Sequence, residues 1–227
     1  MKIRSLFVLL FSSVIALFAT HYVLLDHTTR TINAAIADST QAANATVTKL
    51  LVNDIYPRLV NQLGLERAEP AKGLSGQALE DADKLIRIFI FGTDVMKVKI
   101  FGMNGITVYS TELSQIGQNQ STNPALIAAS QGSIGTQITH RGKFHSAEGE
   151  VYDRDLVSSY IPIRSKSGLI IGVAEIYTDR TPTLIKTRDS GSPVRPIAFL
   201  MHSIQLILLL FIGWIGWLLR KRTPIKP

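Results

Sequence analysis

Val95-Met96-Lys97-Val98-Lys99-Ile100-Phe101-Gly102-Met103-Asn104-Gly105-Ile106-Thr107-Val108-Tyr109-Ser110 is the stretch that decides the fold. Val95 to Phe101 reads as a strand of period two, with Lys97 and Lys99 projecting from one face. Gly102 to Gly105 is a turn, and Asn104-Gly105 is the strongest short hairpin signal a sequence offers. Ile106 to Ser110 is the return strand.

The pattern continues in both directions. Downstream, Asn123-Pro124 opens a short helix that runs to about Gln131 and stops at Gly132. Three further strands are expected at about 134–140, 152–163 and 168–178, the last two joined by a turn over Ser165 to Gly168. A helix starts over Asp179 to Lys186, and the Gly- and Pro-containing stretch 189–196 breaks it. Upstream, apolar residues from Ile32 to Leu63 recur near the 3.6-residue period of a helix. Pro57 is expected to kink or end that helix near Tyr56. Glu66 to Gly76 reads as a loop, and a second helix follows at about 76–92. Five antiparallel strands with helices on one side make an α+β fold.

Both ends of the chain are apolar. Ser5–Leu25 and Ile197–Leu219 contain no Asp, Glu, Lys or Arg, and about 20 such residues suffice to cross a bilayer. The stretch Leu6 to Leu25 exceeds the roughly 7–15 residue core of a signal peptide, so it reads as an uncleaved anchor. The domain reading is therefore a transmembrane helix over 1–25, an extracytoplasmic domain over 26–196, a second transmembrane helix over 197–219 and a basic tail over 220–227.

The net charge of +7 divides unevenly. Six of the 24 basic residues (Lys2, Arg4, Arg220, Lys221, Arg222 and Lys226) flank the apolar runs, with none of the 17 acids beside them. Positive flanks stay in the cytoplasm, which puts both termini inside and the middle outside. The bacterial inner membrane with a periplasmic domain is the natural setting. The segment between the runs is nearly neutral, which removes the case for nucleic-acid binding. With no cysteine in the chain, disulfides, thiol catalysis and Cys-ligated metals are excluded.

Several runs resemble a known family: Val98-Lys-Ile-Phe101, Gly105, Tyr109-Ser-Thr111, Gln115-Ile-Gly117, Asn123, Ala129, Gly132, the run from Asp153 to Ile163, Gly172-Val-Ala-Glu-Ile-Tyr-Thr-Asp179 and Thr181-Pro182. In this order and spacing they resemble the extracytoplasmic PAS-like (Cache-type) sensor domain of bacterial membrane histidine kinases and diguanylate cyclases. The resemblance covers roughly residues 50–185. It implies a five-stranded sheet behind a long stalk helix, with a signal pocket against the sheet. Members of that family continue into a kinase or cyclase module, whereas only Arg220 to Pro227 follow the second apolar run here.

Candidate site residues fall in four groups. His140, Arg141, Lys143 and His145 form a basic loop that either clamps a carboxylate through charge-assisted hydrogen bonds or is simply solvated. Lys97 and Lys99 are second candidates for an anionic ligand. Tyr160, Glu175 and Tyr177 lie in central strands. Glu175 follows an apolar run and needs a partner if buried; it either faces a pocket or bonds a neighbouring helix or Arg. Arg154 lies between Asp153 and Asp155, near Glu148 and Glu150. That cluster lacks the oxygens and loop glycine of a calcium site and reads as a charged strand start. Two histidines five apart, with no third ligand, make no metal site. No cofactor is expected, and no Walker loop, nucleophile elbow, zincin or kinase motif is present.

In the second apolar run, Gln205 calls for a helix–helix contact, while Gly213, Gly216, Trp214 and Trp217 suit either a dimer contact or an ordinary lipid-facing span. The expected function is a non-enzymatic membrane sensor that binds a small ligand or a periplasmic partner. It would relay the signal to a separate output protein, as a homodimer or a mixed dimer with a full-length sensor. The alternatives are an output-less remnant of a sensor kinase or cyclase, and a membrane-anchored periplasmic enzyme or scaffold.

Overall fold

A computed structural model describes residues 3–63, 65, 72–189 and 194–221. It divides into two compact units, residues 33–185 and the paired terminal segments 1–32 and 186–227.

The element order is α1 (Ile3–Leu63), α2 (Gly76–Ile90), β1 (Val95–Gly102), β2 (Thr107–Ser110), α3 (Pro124–Ser130), β3 (Gly135–Ser146), β4 (Gly149–Arg164), β5 (Ile170–Asp179), α4 (Thr181–Asp189) and α5 (Val194–Lys221). The five strands form one sheet of order β2-β1-β5-β4-β3, with every pairing antiparallel. The fold is thus α+β, as its periodicity indicates. The expected β1–β2 hairpin is present, and Gly105 takes φ +79° at its turn, where a side chain is disfavoured.

The two faces of the sheet differ. One face packs against the helices, burying Val98, Ile100, Ile161, Ile163, Ala174 and Ile176 with Ala82, Ile86 and Ile90 of α2 and Leu51 and Leu63 of α1. Apolar residues of α2 lie one helical turn apart, so they form a single stripe toward the sheet. The other face buries Phe101 and Val173 against Leu126 and Ala129 of α3. Asn123 caps α3, its Oδ1 accepting from the Ala125 and Leu126 amides at 2.9 and 3.3 Å, as an N-cap asparagine does.

Three expectations are corrected. Helix α1 does not end near Tyr56 but runs through Pro57 to Leu63. A proline removes one backbone bond, while Leu51, Leu63 and Leu65 on either side are held in the core. The stretch from His140 to His145 is not a loop. It is the second half of β3, paired residue by residue with β4 from Gly135↔Tyr160 to Ser146↔Gly149. Its charged, exposed side chains hide the alternation of a strand with no apolar layer on most of its length. Helix α5 begins at Val194, before the expected start at Ile197. Most of the loop expected over 66–76 lies outside the described residues.

In the terminal unit, Gln205 Nε2 donates to Ser13 Oγ at 3.1 Å, the interhelical bond expected of an amide in an apolar helix. Among the described residues, one stretch, Phe199–Leu218, is long and apolar enough to cross a membrane; its mean hydropathy is 2.0.

Candidate ligand-binding face

Residues directly opposed in antiparallel strands share a face. Lys99 faces Glu175, Glu175 faces Tyr160, Lys97 faces Tyr177 and Tyr177 faces Ser158. Thr139 and Arg141 of β3 continue the same face, with Arg141 opposite Arg154. The register therefore gathers six of the nine sequence candidates, Lys97, Lys99, Arg141, Arg154, Tyr160 and Glu175, on the side away from α2.

On β1 and β5 this face is both charged and buried, whereas Arg141 at its β3 end is exposed. Lys97 is 3 % exposed and Glu175 2 %. Lys97 Nζ donates to Glu112, which precedes a 3-10 turn at Leu113–Gln115. Its ammonium also lies 4.2 Å from the centroid of the Phe144 ring, a cation–π distance. Lys99 Nζ is 3.7 Å from Glu175 Oε2. The Tyr160 hydroxyl accepts from Asn123 Nδ2 at 3.0 Å. Asn123 thus joins the cap of α3 to the face.

Burial controls the titration here. It lowers the Lys97 ammonium below its ordinary value, against the opposing pull of Glu112. At Glu112, burial works to raise the carboxyl, but the hydrogen bond and charge of Lys97 prevail and hold it below the carboxylate range. The Tyr160 and Tyr177 hydroxyls are pushed far up, first by burial and then by the charge and hydrogen bond of Glu175. Arg141 acts on both in the opposite direction, so its guanidinium lies within electrostatic reach of the two phenols.

The basic groups on this face are not equivalent. Lys97 and Lys99 each have a carboxylate partner. Arg154 has a long contact to Asp179 at 3.5 Å, and its buried Nε has no hydrogen-bond partner among the described residues. The buried Thr139 Oγ1 is likewise unpartnered among them. Arg141 has no ion-pair partner among the described residues. Like charges directly opposed across strands repel, so Arg141 and Arg154 together favour an anion between or beside them.

The other three candidates lie apart. His140 is exposed and bridges Asp155 at 2.9 Å and Asp153 at 3.2 Å. Lys143 and His145 are exposed and share Glu150 at 2.8 and 3.5 Å. Among the described residues no group of three His, Cys, Asp or Glu is placed to hold a metal. Glu112, Asn123 and Phe144 also belong to the face and were not foreseen as site residues. Tyr177, read from the sequence beside Tyr160 and Glu175 in the central strands, lies on the same face. A separate cleft of about 460 Å³ lies between α2, the start of β1 and the β3–β4 turn, lined by Arg87, Phe91, Met96 and Ala147 among others.

A five-stranded antiparallel sheet of this order behind a long helix is a PAS/Cache-like fold. No family model matches the chain, and no curated protein does. Among solved structures it is similar to the sensor domain of the histidine kinase DctB of V. cholerae, at 15 % identity and a TM-score of 0.38, covering 65 % of this chain and 57 % of that one. It is similar to the E. coli DcuS sensor domain at 15 % identity and a TM-score of 0.39, covering 63 % of this chain and 98 % of that one. It is also similar to the ligand-binding domain of the Campylobacter jejuni chemoreceptor Tlp3 in complex with L-norvaline, at 13 % identity and a TM-score of 0.41, covering 66 % of this chain and 55 % of that one. The chain thus spans just over half of the DctB and Tlp3 domains.

Proposed function

We propose that residues 26–196 are an extracytoplasmic sensor module, held in a bacterial inner membrane by spans at 5–25 and 197–219. On this reading it binds a small anionic molecule on the sheet face bearing Arg141, Tyr160 and Tyr177. The observation that carries the reading is the solvent-facing Arg141 guanidinium, which has no ion-pair partner among the described residues and lies opposite Arg154, within electrostatic reach of two half-buried phenols. The lysines on the same face are neutralised within the protein, so the arginines are left to recognise the ligand's charge.

The opposite face supplies the relay. Asn44 of α1 hydrogen-bonds to Ser159 of β4 and Thr178 of β5, on the strands that carry Tyr160, Glu175 and Tyr177 on their other side. A ligand with unequal affinity for two arrangements of those strands shifts the helix by population.

The test is a thermal-unfolding screen of the full chain in detergent against small carboxylates, phosphates and sulfonates, each with a neutral amide or alcohol of the same shape. At least one anion should raise the midpoint, and Arg141→Ala should abolish the shift while Lys143→Ala leaves it. A screen in which no anion stabilises the chain, or in which R141A responds as the parent does, sinks the reading.

A further inference from the structure

Strands β3 and β4 pair with each other over their whole length, but β4 pairs with β5 only from Leu156 to Arg164. Residues 141–154 are therefore a two-stranded arm beyond the sheet. The arm does not continue outward. At its tip, the Ala147 amide donates to Met96 O at 2.7 Å, on β1, with β5 lying between β1 and β4 in the sheet. On the way, Phe144 packs 5.2 Å from the Tyr177 ring and covers Lys97. Asp153, at φ +56°, is the one described residue other than glycine in the left-handed region, and marks a bend in the arm.

Few contacts hold this crossing. Besides the Ala147 amide, the Ala147 side chain packed against the main core, and Phe144, the described bond is from Arg87 of α2, whose Nη1 donates to Ala147 O. Arg87 also donates from Nη2 to Thr111 O at 2.7 Å and from Nε to Asp83 at 2.7 Å. Thr111 precedes Glu112, the partner of Lys97. A two-stranded ribbon alone is marginal in water, and most of this one is exposed: Arg141, Gly142, Lys143, His145, Gly149, Glu150, Tyr152 and Asp153 face solvent. Elements with few buried contacts open first.

We propose that the β3–β4 arm is a strap over the candidate face, latched to α2 by Arg87, and that it lifts to admit a ligand. The inference rests on reading that face as a binding site. Arg141 lies at the root of the strap, so an anion held there draws the strap down. Arg87 carries the tip's position to α2 and to the strand end that holds Glu112.

The chain has no cysteine, so one introduced thiol reports on opening. Ser158 lies beside Tyr177 on the covered face, and Val157 points to the helix face; both are buried. In the full chain in detergent, the reaction of S158C with an aromatic disulfide reagent reads lifting of the strap, and that of V157C reads general unfolding. Arg87→Gln and, separately, Phe144→Ala should each speed labelling of S158C at least tenfold and leave that of V157C unchanged. If R87Q also speeds labelling of V157C, F144A decides. A labelling rate of S158C that F144A leaves unchanged, or raises only in step with V157C, overturns the strap. The assay needs no ligand. Strap lifting without anion binding would count against the proposed function alone, and anion binding to a chain with an immovable strap against this inference alone.

Discussion

Thr178 of β5 donates its hydroxyl to Asn44 of α1 at 2.7 Å, in a part of the core where Asn44 is 2 % exposed. The same amide donates to Ser159 Oγ on β4 at 3.1 Å. Thr136 donates to Gln41 at 2.7 Å, and Arg180 Nε to Thr40 at 2.9 Å. This part of the helix therefore meets the sheet through a polar seam. Directional bonds fix its position along the strands, where apolar packing alone tolerates sliding.

Asn44→Ala leaves the buried Thr178 hydroxyl without its acceptor, at about 1–3 kcal/mol, and removes one of two bonds at Ser159 Oγ, which keeps the Thr136 hydroxyl at 3.3 Å. The expected loss is about 2–3 kcal/mol, read as a lower denaturation midpoint in detergent. Asn44→Leu restores the volume but not the bonds, and should recover little of it. A variant as stable as the parent would mean that water replaces the amide.

The Lys97–Glu112 pair gives a second expectation. Breaking a buried ion pair by removing one partner costs about 3–5 kcal/mol. Glu112 keeps some exposure, so Glu112→Gln should cost about 3 kcal/mol, the lower end of that range. Lys97→Met together with E112Q should recover most of it, because the uncompensated charge is gone. The pH dependence follows from both shifts. The folded value of Glu112 lies below its ordinary 4.5, so its contribution is complete above that value and is lost as pH falls through the folded one. The folded value of Lys97 lies below 10.5. The cost of burying its charge is present at neutral pH and is relieved as pH rises through the folded value. E112Q should flatten the acid limb of the stability profile.

The sheet was legible because its central strands alternate and its hairpin has Asn104-Gly105. The far half of β3 was not. A strand that leaves the sheet and buries only Phe144 and Ser146 among its last seven residues has no apolar period to detect. Lys97, Lys99, Tyr160 and Glu175 were legible as polar residues in apolar strands. Glu112 and Asn123 were not, since they come from a turn and a helix cap brought in by tertiary packing. Arg141 was read as a candidate for an anion, but as part of a loop whose other members turn to carboxylates: His140 to Asp153 and Asp155, Lys143 and His145 to Glu150.

Two glycines with the same backbone demand should respond differently to alanine. Gly92 (φ +73°) has open space where a Cβ would sit, whereas a Cβ on Gly105 (φ +79°) would meet Ser121 Cα at 2.5 Å. Gly92→Ala should lose only the left-handed penalty of about 1–2 kcal/mol. Gly105→Ala adds an overlap with backbone, which costs about 1–3 kcal/mol more. Equal midpoints for the two would show that the 120–123 segment gives way freely.

The proposed two-span anchor is tested where a charge is least tolerated. Leu208 lies midway along 197–219, and an Arg at mid-bilayer costs about 2.5–3.5 kcal/mol on insertion scales. Leu208→Arg should stop α5 from integrating. The chain should stay bound to carbonate-washed membranes through residues 5–25, because that run holds no charge. A tag placed after Pro227 should then become open to protease added to spheroplasts, whereas in the parent it is protected. If the variant washes off the membrane, the first run is no anchor. If its tag stays protected, α5 either accepts the charge beside a polar neighbour such as Gln205 or never spanned, and the same tag on a chain ending before Ile197 separates those outcomes.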